Sequence, residues 1–83
     1  MEVFYTRHAA EDLQRLTPTV QRRIAAKMRY FAAQRDPLRF AKRLANAREG
    51  QFRFRIVDYR VIFDVLGNAL YVLKIAKRDE VYR

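Results

Sequence analysis

Cysteine and serine are both absent from this sequence of 83 residues, and histidine occurs once, at His8. Without cysteine there are no disulfides and no thiolate metal sites, a usage compatible with a reducing cytosol. Without serine a Ser-His-Asp triad cannot be built, and with one histidine no metal centre or bound cofactor is expected. Glycine occurs only at Gly50 and Gly67, which excludes a glycine-rich phosphate loop. No apolar run approaches the roughly 20 residues needed to cross a bilayer, and Met1 leads into a mixed, strand-like segment rather than a signal peptide. A soluble, cytoplasmic protein with no membrane partner is the expectation.

Acids are the other scarcity. Nine Asp and Glu stand against 18 Lys and Arg, for a net charge of +9. The natural counterpart is a polyanion, although charge alone names a sign and not a partner. A chain this short buries only about 60–65% of its unfolded surface, so a large enclosed site is not expected. Half of the residues are hydrophobic and 13% aromatic, enough for one core, and no linker or repeat divides the chain. The expectation is one domain over residues 1–83.

Residues 2–6, EVFYT, alternate and read as a short first strand. HAAEDLQRL then spaces Ala9, Leu13 and Leu16 as a short helix, with Glu11 and Asp12 in its first turn, where the helix dipole favours acids. Thr17 and Pro18 stop and restart the chain, threonine capping and proline opening a second helix. Along it Val20, Ile24, Met28 and Phe31 form one apolar stripe, and Arg22, Arg23, Lys27 and Arg29 lie elsewhere. The plainer reading of those cations is a solvated face; the alternative is a supporting contact to phosphates. RDP at 35–37 ends the helix. Residues 38–50 show no clean period and read as a basic connecting segment.

FRFRI, 52–56, alternates Phe52, Phe54 and Ile56 with Arg53 and Arg55. After a turn at Val57 and Asp58, Tyr59, Val61, Phe63 and Val65 take the core face, with Arg60, Ile62 and Asp64 opposite. A two-residue turn sets Arg55 directly across from Arg60, their Cβ atoms about 5 Å apart. Like charges there repel, and an anionic ligand is the simplest thing that makes the pairing tolerable. For the last strand, ALYVLKIA, a three-residue loop at Gly67 is expected, with Tyr71, Leu73 and Ile75 inside and Lys74 on the arginine face. The fold class predicted is α+β, a two-helix antiparallel hairpin packed on a roughly four-stranded antiparallel sheet.

What remains for chemistry is arginine and tyrosine. An arginine cluster holds a phosphate bidentately and stabilises the added charge of a phosphorane without a metal. RNA brings its own nucleophile, the 2′-OH, which attacks the adjacent phosphate when aligned and relieved of its proton. Guanidinium groups nearby favour a phenolate, which makes Tyr82 a candidate proton acceptor. The plainer alternatives are a solvated sheet face for Arg53, Arg55 and Arg60, and for Tyr82 a ring covering the sheet end. His8 suits a capping or surface role.

The stretch FRFRIVDYRVIFDV followed by VLKIAKRDEVYR resembles the RelE/ParE superfamily of toxins of toxin–antitoxin pairs, and within it the RelE-type messenger-RNA interferases. The resemblance spans essentially the whole chain. It rests on a basic-x-basic strand, a DYR turn and strand, and a closing tail of the HR-x-x-VY type. It implies an active site of Arg53, Arg55, Arg60, Arg78 and Tyr82. The first three would bind the phosphate and stabilise the transition state, Arg78 would act at the 5′ leaving oxygen, and Tyr82 would be the general base. Where some members carry lysines in the basic-x-basic pair, this chain has arginines, which hardly ever give up a proton. The resemblance also implies a cognate antitoxin with an acidic, amphipathic segment, and messenger RNA cut in the A site of the 70S ribosome. Two rival functions share the fold or the charge, namely DNA gyrase inhibition of the ParE kind and non-catalytic binding to RNA or the ribosome.

Overall fold

The computed structural model describes residues 1–78. Strand β1 (Glu2–Tyr5) leads into helix α1 (Arg7–Gln14) and helix α2 (Pro18–Ala33). A 3-10 turn (Pro37–Phe40) and a two-residue strand β2 (Lys42–Arg43) follow, then β3 (Phe52–Ile56), β4 (Tyr59–Leu66) and β5 (Ala69–Lys77). Both helices start at threonine caps. Thr6 Oγ1 accepts the Ala9 amide at 3.2 Å and Thr17 Oγ1 the Val20 amide at 3.4 Å, replacing partners that the first helical turn lacks. Asp36, ahead of Pro37, sits at φ −131 and ψ 86, outside the helical region as its neighbour requires.

The α+β class and the two helices on a largely antiparallel sheet are as predicted. The sheet gains one strand, with order β1-β5-β4-β3-β2. β1 pairs with β5 in parallel, so the sheet is mixed, and β2 adds to the β3 edge from within the segment read as a connection. Helices cover one face. Ile24, Met28 and Phe31 of α2 pack with Phe54, Val61, Phe63, Val72 and Ile75, and the Phe31, Phe54 and Phe63 rings stack with successive centroids 4.4 Å apart. The stripe of α2, the even-numbered positions of β3 and the odd-numbered positions of β4 account for this core.

The β4–β5 connection corrects the expected loop. Leu66 pairs directly with Ala69, so the turn is the two residues Gly67 and Asn68, with Gly67 at φ 58. Leu70 and Val72, rather than Tyr71 and Leu73, therefore enter the core, both fully buried. The register then slips at Leu73, because Phe63 pairs with Val72 while Ile62 pairs with Lys74. This β-bulge resets the alternation, returning Ile75 to the core and Lys74 to the opposite face. A loop of three residues and a bulge four residues later give the same phase at Lys74 and Ile75 and opposite phases between them.

Where β1 ends, helix α1 takes over the edge of β5. Thr6 donates its amide to Val72 O at 2.9 Å and its hydroxyl to Leu73 O at 3.4 Å. The Ile75 amide is received by the buried Asp12 carboxylate, Oδ2, at 3.0 Å. Asp12 is thus a substitute for the missing strand rather than a first-turn acid, and Arg15 donates to its other oxygen at 3.2 Å.

Candidate nucleic-acid interface

The sheet face turned away from the helices is organised by the β3–β4 turn. Val57 and Asp58 form it, with Val57 at φ 56, a left-handed conformation that strains a β-branched residue by about 1–3 kcal/mol. The Arg78 amide donates to Asp58 O at 2.9 Å, tying the end of β5 to this turn. Ile56 consequently faces Tyr59, and Arg55 stands directly across from Arg60, as the spacing predicted.

Cross-strand partners share a face, so the pairings assemble two parallel rows. One runs Lys42, Arg53, Ile62, Lys74 across β2, β3, β4 and β5; the other runs Arg55, Arg60, Ala76. Five cations therefore share one sheet face. Arg55 and Lys74 are exposed and Arg53 half-buried. Arg60 departs from the plainer reading of a solvated face, being only 6% exposed in a row whose next member is the small Ala76. Lys77 lies across from Tyr59, on the helix-side face, and so stands apart from these rows.

Arg78, just past the end of β5, is exposed and held close in space to the β3–β4 turn through its amide. Tyr82 lies outside the described residues. Lys42 was not singled out from the sequence, because a strand of two residues has no alternation to read. Its neighbour Arg43 turns to the other face, its guanidinium 5.2 Å from the Phe52 ring centroid.

Strands about 5 Å apart bring arginines on neighbouring strands close enough to grip one phosphate from two sides. A cluster of cations attracts anions, and salt weakens that attraction. Among the described residues no cluster of three His, Asp or Glu side chains is placed to hold a metal ion. Burial raises the Tyr5 phenol above its ordinary value near 10, against a smaller opposing pull from Arg29.

The family model for the ParE toxin of type II toxin–antitoxin systems, parDE, matches residues 3–82. Among solved structures the chain is similar to one in the RelBE2 toxin–antitoxin complex of Mycobacterium tuberculosis, with TM-score 0.75 and 25% identity, covering 93% of this chain and 96% of that one. It shares its fold with a chain of the RelB–RelE antitoxin–toxin complex of Methanococcus jannaschii, with TM-score 0.72 and 15% identity over 95% of this chain and 94% of that one. A comparison with curated proteins gives no match.

Proposed function

The chain belongs to the ParE toxin family of type II toxin–antitoxin systems, within the RelE/ParE superfamily, and from that premise we propose that it arrests growth by cutting messenger RNA in the ribosomal A site. The observation that carries the proposal is the five-cation sheet face, with Arg55 directly across from Arg60. A surface that sets like charges opposite one another is built for an anion, and RNA supplies both the anion and the nucleophile.

In the reaction, the 2′-OH of one nucleotide attacks the phosphorus of its own 3′ phosphate. The bond to the 5′ oxygen of the next nucleotide breaks, leaving a 2′,3′-cyclic phosphate and a 5′-OH. Arg53, Arg55 and Arg60 hold the non-bridging oxygens, whose charge grows in the phosphorane, so the attraction is stronger there than in the ground state. Arg78 stabilises charge on the departing 5′ oxygen, which takes its proton from water to become the 5′-OH. Tyr82, as phenolate, accepts the 2′-OH proton. Arginine stays protonated throughout and contributes charge rather than protons. The ribosome orients the message, and a cognate antitoxin whose acidic, amphipathic segment covers this surface holds the toxin inactive.

The family model, which describes ParE of the parDE system, favours a second reading in which the same face grips DNA gyrase. Induction in a bacterial host separates the two. Primer extension that finds new 5′-OH ends within coding frames before DNA damage is detectable supports RNA cleavage. Intact messages, together with loss of gyrase supercoiling by the purified protein, would replace it with gyrase inhibition.

A further inference from the structure

Beside the arginine rows lies a cleft of about 270 Å³ lined by His8, Arg48, Glu49, Ile62, Leu73 and Lys74. Its floor is apolar, from the half-buried bulge residue Leu73, with Ile62 buried beside it. Its rim is charged, with Arg48 and Lys74 contributing cations and Glu49 a carboxylate. His8 comes over the β5 edge that α1 covers, its Nε2 3.4 Å from Asp12 Oδ2.

The Arg48–Glu49 wall is fastened down. Asn46 closes a turn, its Oδ1 accepting the Arg48 amide at 3.0 Å and its carbonyl the Glu49 amide at 3.2 Å. The Gln51 amide donates to Asp64 Oδ1 at 2.9 Å, and Gln51 Oε1 accepts the Val65 amide at 2.8 Å. Between these anchors Gly50 is pressed onto the floor. At φ +147, a Cβ there would lie 2.7 Å from Ile62 Cγ2 and 3.1 Å from Leu73 Cδ1. Only glycine lets the loop come this close.

We propose that this cleft is a subsite for a single ribonucleotide adjoining the scissile phosphate, with the base against the half-buried Leu73, beside the Gly50 loop, and its phosphate on Lys74. The inference rests on the RNA-cleavage reading for the identity of the strand and adds where its neighbouring nucleotide goes. Lys74 stands in the same row as Arg53, two strand spacings or about 10 Å away, so a chain crossing the arginines reaches the cleft next. An apolar floor takes the flat face of any base. Glu49 accepts only from a base edge that donates, and so favours adenine, which carries an exocyclic amino group, over uracil, which presents mainly acceptors. The volume admits one base rather than a dinucleotide.

The test is an amide chemical-shift titration of the full-length, isotope-labelled protein with three probes, namely inorganic phosphate, adenosine 5′-monophosphate and uridine 5′-monophosphate. Phosphate alone is expected to shift Arg53, Arg55 and Arg60. The adenosine nucleotide is expected to add Arg48, Glu49, Leu73 and Lys74 and to bind more tightly than the uridine nucleotide. Lys74→Ala, at an exposed position, should weaken the adenosine nucleotide about five- to tenfold through loss of one charge-assisted contact, and Glu49→Gln should narrow the preference. Shifts confined to the arginine rows with every probe would overturn the subsite and leave the RNA-cleavage reading standing. Cleft shifts with the nucleotide but no row shifts with phosphate would keep the subsite and remove that reading's support. Equal affinity for the two nucleotides would overturn the role given to Glu49, and silence with all three would overturn both inferences.

Discussion

Asp12→Ala is expected to destabilise this protein far more than any change to the ions around it. The carboxylate is 9% exposed and receives the amide of Ile75, itself 5% exposed, at 3.0 Å across a sequence separation of 63. Truncation leaves that amide buried without its acceptor, a cost of about 1–3 kcal/mol. The Arg15 and His8 side chains facing Asp12 are 72% and 64% exposed, so each of those pairs contributes only a few tenths of a kcal/mol. A total near 2 kcal/mol corresponds to a fall in Tm of about 8–16 °C for a domain of this size. Asp12→Asn retains an acceptor oxygen and should lose about half as much. Thermal unfolding followed by circular dichroism measures the loss, and hydrogen exchange at the Ile75 amide localises it. Asp12→Ala melting within about 3 °C of the parent, or Arg15→Ala reproducing the full effect, would refute the strand-substitute role. The same bond fixes β5 just after its bulge, so exchange protection at Lys74 and Ile75 should fall together.

Other consequences follow from the sheet face and its loop. Arg55→Ala, at an exposed position opposite a like charge, should change stability by less than about 0.5 kcal/mol while flattening the log-log salt dependence of single-stranded RNA binding by about 0.7, read by fluorescence anisotropy. Arg60→Ala should instead cost more than about 1 kcal/mol in urea unfolding, because a side chain that is 6% exposed also packs; an unchanged midpoint would contradict its burial. Gly50→Ala, with a positive φ and an overlap at Ile62, should lose at least about 1 kcal/mol and shift the amides of Arg48 and Glu49. The raised Tyr5 phenol means that the folded state holds its proton where the unfolded chain has released it, so its stabilising contribution is complete below pH 10 and lost as pH rises through the folded value. Tyr5→Phe should therefore flatten the alkaline limb of the stability profile above about pH 10, and an unchanged limb would show that burial of Tyr5 plays no part in it.

Much of this fold was legible because its signals are periodic. The α2 stripe and the alternation of β3 and β4 give both the core and the Arg55–Arg60 pairing, since a two-residue turn leaves the register no freedom. Lys42 was hidden because two residues make no pattern. The Leu73 bulge was hidden for a different reason. Tyr71, Leu73 and Ile75 fit a continuous alternation as well as Leu70, Val72 and Ile75 fit an interrupted one, and the β4–β5 register separates them only in the folded sheet. Asp12 reads locally as an acid near a helix start, whereas its partner is an amide 63 positions away. The burial of Arg60 likewise depends on strands that meet only in the folded sheet. Arg78 entered through family resemblance, its amide bond to Asp58 being a contact that no spacing predicts.

The most direct test of RNA cleavage uses purified 70S ribosomes stalled on a defined message, with the wild-type protein and its Arg55→Ala variant, free message alongside, and the product ends mapped by primer extension. Discrete cuts in the A-site codon that need the ribosome, leave 5′-OH ends and weaken at least about tenfold in the variant, the loss expected from one transition-state charge contact, are the predicted result. An intact message at protein concentrations that block gyrase supercoiling would contradict it and make the arginine face a protein-binding surface.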